Sequence, residues 1–398
     1  MLVPISAEEF SALMARFAPW PAVRPIGVAV SGGADSLCLA WLAHRWGAAA
    51  GFIVDHGLRA ESAAEAAVTS ARLASFGMAS FVTRIALRPG PGLAARAREA
   101  RYGALATMAA EAGVVDMLVG HHVRDQAETA LMRAQARSGP AGLAGMAAVY
   151  ETQAMRIVRP LLGMAPGRLR ATLRQAGLDW VEDPSNSNAL ALRTRLRQGL
   201  NDPDGAGETT SVLTEAAARR GEARAAMERE TACVLAGRVA IYPEGFAILS
   251  PGPIAPAALA ALLRTLTGAP YAPSSATVSA LAREPKPATL AGVQLLPAGR
   301  LGPGLLLVRE AAAMAPPVPA GPGARWDRRF VLDEAFRAGV GTTLGAIGPD
   351  TKALAPIGLP AAVTRTMPAL RRDGNIISAD PPVRFSPAAP LAGAPFFI

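Results

Sequence analysis

Ile26-Gly27-Val28-Ala29-Val30-Ser31-Gly32-Gly33-Ala34-Asp35-Ser36 joins an apolar run of strand length to a helix start through two adjacent glycines. Paired glycines let the backbone turn tightly and bring its N–H groups close to a ligand. Helical spacing resumes at Asp35 and runs to Trp46, so the positive end of that helix faces the turn. Clustered backbone N–H groups at a helix N-terminus favour a phosphate. Ser31, Gly32, Gly33, Ala34, Asp35 and Ser36 are therefore candidate nucleotide-binding residues. Ser36 can add a hydroxyl to a phosphate oxygen, and Asp35 can hold a magnesium ion that neutralises a triphosphate. The stretch is not a Walker A loop, which needs Gly-Lys-Ser/Thr, and it is not G-x-G-x-x-G. The plain structural alternative is a strand-to-helix turn with a serine or aspartate cap. The place of the hexapeptide after a leading parallel strand, where ligand crevices lie, favours phosphate binding.

Outward from this loop the pattern is regular. Short apolar runs at 51–54, 81–85, 114–119 and 155–158 predict strands, and helical spacing at 61–76, 93–112, 123–137 and 166–176 separates or follows them. This alternation predicts an α/β fold with a doubly wound, mostly parallel sheet covered on both faces. The breaker cluster 201–207 (NDPDGAG) ends it. A long helix rich in Ala, Glu and Arg follows at 209–235, and after it prolines multiply. These shifts place a first domain at 1–205, a helical linker at 206–240 and a smaller α+β domain at 241–398. By composition the proline-rich run 314–324 reads as a linker, giving a sub-boundary at 312–324.

Composition narrows the function. The 398 residues are 51% hydrophobic and 18% charged, which excludes a disordered chain. The longest uncharged stretch, 245–263, carries Pro251, Pro253 and Pro256, so it does not make a spanning helix. The first ten residues hold two acids, no basic group and no apolar run, so a secretory signal is not expected and a cytoplasmic protein is. Net charge is +9, almost wholly from arginine, since Lys286 and Lys352 are the only lysines. Arginine forks match phosphate, which fits an RNA or nucleotide partner, although an arginine-for-lysine bias of the genome explains the composition equally well. Two cysteines, Cys38 and Cys233, build neither a disulfide framework nor a thiolate cluster.

Three further segments carry polar groups at strand ends. Asp55 and His56 close the second strand, where a loop can touch adenine or ribose, or where Asp55 merely caps a turn. Gly120-His121-His122 follows the fourth strand and leads into Asp125 and Glu128. His121, Asp125 and Glu128 fall on one helical face, unless His121 lies at the cap instead. Two carboxylates three residues apart repel each other unless a cation lies between them, so a cationic substrate or magnesium suits the cluster. The alternative is a solvated helix face on which Arg124 pairs with Glu128. Last, Glu182-Asp183-Pro184-Ser185-Asn186 is a polar turn before Arg193-Thr194-Arg195-Leu196-Arg197.

SGGADS resembles the PP-loop of ATP-pyrophosphatases, and the chain as a whole resembles the tRNA(Ile)-lysidine synthetases. The likeness rests on SGGADSL, VDHGLRAES, AREARYGAL, GHHVRDQAETALMR, SGPAGLAGM, RPLL and EDPSN followed by R-x-R-x-R, in the family's order over about residues 26–197. The C-terminal half, through Trp326-Asp327-Arg328-Arg329-Phe330 and Met367-Pro368-Ala369-Leu370, is similar more loosely, and core packing explains those residues as well.

The resemblance implies an adenine nucleotide alpha hydrolase-like fold, with ATP and magnesium bound at the loop. It implies that ATP adenylates C2 of the wobble cytidine of tRNA(Ile) with anticodon CAU, and that free lysine displaces AMP to give lysidine. It places His121, Asp125, Glu128 and Arg193 in the active site, with the two carboxylates recognising lysine and His121 as candidate base. It assigns tRNA binding to the C-terminal half and suggests a homodimer without a membrane partner. The chain departs from the family at Ala136-Arg137-Ser138-Gly139, where Arg-Gly-Ser-Gly is usual, and at Thr194, where an asparagine is usual. Rival readings are a PP-loop amidoligase acting on a small molecule and a non-catalytic RNA-binding protein with a relic ATP loop. Sulfur transfer lacks the cysteines it needs.

Overall fold

A computed structural model of the chain describes residues 2–20, 24–57, 61–87, 90–152, 154–181, 192–349 and 358–387. Two compact units divide it, the first ending at Ala226 and the second starting at Met227.

The first unit opens with α1 (Ala7–Ala15) and continues β1 (Ile26–Ala29), α2 (Ala34–Trp46), β2 (Ala49–Asp55), α3 (Ser62–Ser75), β3 (Ser80–Arg84), α4 (Leu93–Glu111), β4 (Asp116–Val119) and α5 (Val123–Gln135). The short α6 (Pro140–Leu143), β5 (Val149–Glu151), β6 (Arg156–Val158), α7 (Pro166–Gln175) and α8 (Leu192–Leu200) follow, and then α9 (Glu208–Arg238), which runs on into the second unit. The six strands form one sheet in the order β3-β2-β1-β4-β6-β5. All pairings are parallel except β5 with β6. The predicted doubly wound sheet is therefore present, with an antiparallel hairpin added at one edge. That hairpin strand, β5, was not among the predicted elements.

Both faces of the sheet are covered. Phe10 and Met14 of α1, Leu37 and Leu39 of α2, Leu73 of α3 and Leu169 and Leu173 of α7 pack on one side with Val28 and Ile53. Leu105, Met108 and Ala109 of α4 pack on the other with Phe52, Met117 and Ile157. The chain winds outward from β1 to β3 and then returns to place β4 on β1's other side. Order reverses between β1 and β4, and at such a switch the loops leaving the two strands diverge and open a crevice.

The second unit holds β7 (Val239–Ile241), β8 (Ala247–Leu249), α10 (Pro256–Thr267), α11 (Ser275–Arg283), β9 (Ala288–Leu290), β10 (Val293–Pro297) and β11 (Leu305–Arg309). These strands make an antiparallel sheet in the order β7-β8-β11-β10-β9 under the two helices. Next come β12 (Val318–Pro319), β13 (Arg325–Trp326), β14 (Phe330–Leu332), β15 (Thr343–Ala346), α12 (Ala361–Thr364), β16 (Pro368–Arg372), β17 (Asn375–Ser378) and β18 (Val383–Phe385), which form two smaller sheets. The run 314–324 is not a free linker. It passes from the first of these sheets to the others, yet β12 pairs with β15, and the Trp326 indole donates to the Ala315 carbonyl at 3.2 Å. Proline removes donors but leaves carbonyls that neighbours can use, so composition alone misleads here. Trp326 is wholly buried, as a core tryptophan.

Candidate active site

The β1–α2 turn has the shape its glycines require. Gly32 sits at φ +86°, and a Cβ there would lie 2.5 Å from the Thr69 hydroxyl of α3. Glycine alone accommodates both constraints. Gly33 is the N-cap of α2 and no side chain caps it, so the first N–H groups of the helix face the crevice without a side-chain acceptor. The buried Ser36 hydroxyl accepts from Ser31 N at 3.0 Å and donates to the Gly33 carbonyl at 3.1 Å. These bonds shape the loop around the Ser36 hydroxyl. The exposed hydroxyl is that of Ser31, 3.1 Å from Ser36 Oγ.

Across the switch, Gly120 abuts this loop. A Cβ on Gly120 would meet the Asp35 carbonyl oxygen at 2.9 Å. Two residues on, His122 is the N-cap of α5 in a reciprocal capping box: His122 N donates to Asp125 Oδ2 at 3.1 Å, and Asp125 N donates to His122 Nδ1 at 3.4 Å. The other ring nitrogen, Nε2, lies 3.4 Å from Asp35 Oδ2. One buried imidazole therefore spans from the phosphate-type loop to the acidic helix. Burial opposes its protonation, but the carboxylates of Asp125 and Asp35 outweigh burial and raise its pKa above the ordinary histidine value.

Asp125 and Glu128 are not a solvated face. Glu128 is wholly buried, and Arg124 stands a loose 3.9 Å from it. The cation that the pair requires comes from α8. Arg197 Nε donates to Glu128 Oε1 at 2.7 Å, and its Nη2 lies 3.8 Å from Asp125 Oδ1. Burial would raise the Asp125 carboxyl, yet His122, His121 and Arg197 together hold it below the usual carboxylate range. Arg193, the arginine singled out from sequence, is exposed one turn earlier on α8. The Arg197 assignment was available from the same R-x-R-x-R motif, but nothing in one sequence says which arginine of a helix turns inward.

His121 does not have the surroundings of a base. Arg159 Nε donates to its Nδ1 at 3.2 Å. Burial first, and then the charges of Arg159, Arg98 and Arg101 against the opposing pull of Asp125, push its pKa down to about 3. A group that binds protons so weakly is a poor acceptor from an ammonium of pKa about 10.4. Burial and the neighbouring guanidiniums thus weigh against His121 as the base and leave it as a hydrogen-bond acceptor for Arg159. It belongs to a cationic wall that sequence reasoning quoted in motifs but did not assign. On α4 the Arg98 and Arg101 guanidiniums lie 5.0 and 5.5 Å from the Tyr102 ring. Burial would raise the Tyr102 hydroxyl, but Arg98, Arg159 and Arg101 lower it. Burial likewise lowers Arg101 and Arg159, whose strongest charged neighbours are tyrosines and other arginines rather than carboxylates.

At the end of β2 the structural alternative describes the Asp55 side chain. Oδ1 accepts from Gly57 N at 2.8 Å, and Arg84 Nε lies 3.5 Å from Oδ2. The Ser62 hydroxyl, ahead of Gly57 N–H and Arg84, holds its pKa low against burial. His56 is half-buried, its Nδ1 lacks a hydrogen-bond partner among the described residues, and burial followed by Arg101 lowers its pKa. The segment from Glu182 to Asn186 lies outside the described residues. Cys38 is buried in α2 with its thiol pushed up to about 12, chiefly by desolvation, and Cys233 is isolated and exposed.

A doubly wound sheet with a glycine-paired loop and bare helix N-terminus at its switch point defines an ATP-binding PP-loop domain, and residues 5–203 match the PP-loop domain family. The whole chain is 34% identical over 417 residues to the tRNA(Ile)-lysidine synthase of Ruegeria pomeroyi, covering 99% of this chain and 94% of that one. The enzyme of the same name from Rhodopseudomonas palustris is 42% identical over 234 residues, 56% of this chain and 68% of that one. That from Rhizobium meliloti is 32% identical over 376 residues, 86% and 80% of the two chains. This chain belongs to the tRNA(Ile)-lysidine synthase family. Among the described residues no helix is long and apolar enough to cross a membrane.

Proposed function

We propose that the chain ligates free lysine to C2 of the wobble cytidine, position 34, of tRNA(Ile) with anticodon CAU, consuming ATP and releasing AMP and pyrophosphate. The observation that carries this reading is the His122 bridge, which puts the bare N-terminus of α2 and the Asp125/Glu128 pair on one edge of the sheet. Adenylation needs an anion site for the departing pyrophosphate. Gly32, Gly33, Ala34 and the start of α2 supply it, with the Ser31 hydroxyl beside them. Attack needs a site for a cationic amino acid, and Asp125, less deeply buried than Glu128, is the carboxylate placed to receive it. Buried Glu128 and Arg197 hold Asp125's side of the helix in place. Among the described residues no carboxylate pairs with Arg98, Arg101 or Arg159, an arrangement that suits an RNA or nucleotide phosphate. Arg193, exposed on α8, faces the same polyanion.

Asp35 is the residue that would hold magnesium. Its carboxylate is partly exposed beside the loop, and among the described residues no cluster of three or more acidic, His or Cys groups forms an all-protein cage. One carboxylate plus phosphate oxygens and water is the donor set that magnesium takes in nucleotide sites, where it neutralises phosphate charge. A cytoplasmic homodimer fits the same reading. Nucleoside analysis of tRNA(Ile) after incubation with the protein, ATP and labelled lysine tests it: lysidine at position 34 is expected. Label in a small molecule with none in tRNA identifies an amidoligase instead.

A further inference from the structure

His122 does more than start a helix. As an N-cap it needs only Nδ1, the atom that accepts from Asp125 N. Nε2 plays no part in the cap, yet it is buried and faced by Asp35 Oδ2 from a different element, on the far side of the topological switch. Nε2 lies 3.4 Å from Asp35 Oδ2, a charge contact between the ring and that carboxylate. Gly120, in the same turn, allows no atom between its backbone and the Asp35 carbonyl. The turn after β4 and the start of α2 are thus joined twice, once by close backbone packing and once through a side chain. The side-chain joint ends on the carboxylate that stands at the nucleotide loop, and its other end is the carboxylate that stands at the amine site.

We propose that His122 is a positioning residue that couples the two half-sites: it fixes Asp35 relative to Asp125, so that filling the nucleotide site changes the affinity of the amino-acid site and the reverse. This rests on the function proposed above. Coupling of this kind is reciprocal, because each ligand can shift only an arrangement that both sites share. A buried imidazole, hydrogen-bonded to α5 at Nδ1 and in charge contact with Asp35 at Nε2, is a stiff spacer, unlike a long charged side chain that would absorb a shift at one end. The uncatalysed ends of the joint are also asymmetric: Asp35 is partly open to solvent, whereas Asp125 is held from three sides.

Two substitutions separate coupling from capping. His122→Asn keeps an acceptor at the position of Nδ1 and is a good N-cap, but it does not reach Asp35. His122→Gln reaches Asp35 but caps poorly. The experiment measures, by calorimetry on the full chain with magnesium, the Kd of α,β-methylene-ATP with and without saturating lysine, and the thermal midpoint of each variant. The parent is expected to show a lysine effect of about tenfold. His122→Asn should melt near the parent with that effect reduced towards one. His122→Gln should melt lower and keep most of it. Retention of the parent's lysine effect by His122→Asn, or its loss in folded His122→Gln, overturns the proposal. If the parent binds both ligands without mutual influence, the coupling is wrong and the proposed reaction stands. If the parent does not bind lysine and makes no lysidine, the proposed reaction fails and takes the coupling with it.

Discussion

Each unit buries a cluster of arginine and carboxylate, and the two clusters are built to different ends. In the second unit Asp327 accepts from Arg309 Nε at 3.2 Å, Arg329 Nε at 2.9 Å and Ala315 N at 3.0 Å. Arg329 spends a further N–H on the Gly245 carbonyl at 3.2 Å. Burial lowers its pKa to about 10, well above neutral pH, so it stays charged. One carboxylate is surrounded by more donors than it needs, and the cluster is closed. In the first unit Asp35, Asp125 and Glu128 share His122 and Arg197, with Arg124 at the margin. Here three carboxylates face two guanidiniums and one imidazole, and Asp35 is partly open. The closed cluster stitches β11, the 327–329 turn and the Gly245 turn together. The open one leaves carboxylate capacity for something that arrives. The lesson is that a buried ion cluster is read by its surplus: spare donors inside a sealed core mean architecture, and spare acceptors at a strand-end crevice mean a ligand.

The comparison can be broken at several points. Asp327→Asn should be the most damaging, because it strands two buried guanidiniums; about 3–5 kcal/mol of stability is expected to go, measured by urea unfolding. Nucleotide binding by the first unit should survive under conditions where the protein remains folded. Arg197→Gln should cost about 2 kcal/mol in kcat/KM for lysine, some thirtyfold, while Arg193→Gln costs less on that axis and more in tRNA affinity. Equal lysine effects of the two would undo the preference for Arg197.

Acid titration gives a smaller and signed effect. His121 has its pKa depressed on folding, from an ordinary value near 6.5 to about 3, so its contribution is present above pH 6.5 and is lost as pH falls through that window. His121→Gln should therefore lose stability less steeply than the parent between pH 6.5 and 4, by about 1–3 kcal/mol over the range after allowance for solvent access. His122, with its pKa raised, has the opposite sign: its contribution is complete below pH 6.5 and fades as pH rises through the elevated value.

Much of this was legible in residues. The β1 apolar run, the glycine pair and the alternation of short strands with helices gave the sheet, because strands buried on both faces must be continuously apolar. Three things were not legible, each for a physical reason. β5 is a three-residue edge strand defined by its hairpin partner rather than by any periodicity of its own. The run 314–324 is held by carbonyls and one buried indole, which composition does not reveal. Within the site, the choice of His122 over His121 as bridge, and of Arg197 over Arg193 as counter-ion, depends on which side of a helix start or turn faces inward. Neighbouring residues of like type differ there only in direction.

The mildest test concerns Arg137, where the sequence departs from the family's glycine. It closes α5 at φ 51°, with Arg137 N bonded to the Ala134 carbonyl. Arg137→Gly should stabilise the protein by about 0.5–1 kcal/mol in thermal or urea unfolding, since glycine takes that conformation without a Cβ penalty. No change in lysine kinetics is expected.

Gly120 gives the crevice its minimum width. A Cβ there would lie 2.9 Å from the Asp35 carbonyl oxygen, so the β4 turn and the start of α2 meet with no room for a further carbon. A methyl group at this one position would act as a wedge under both sites at once, and the reaction's geometry is set by the smallest residue in the cleft.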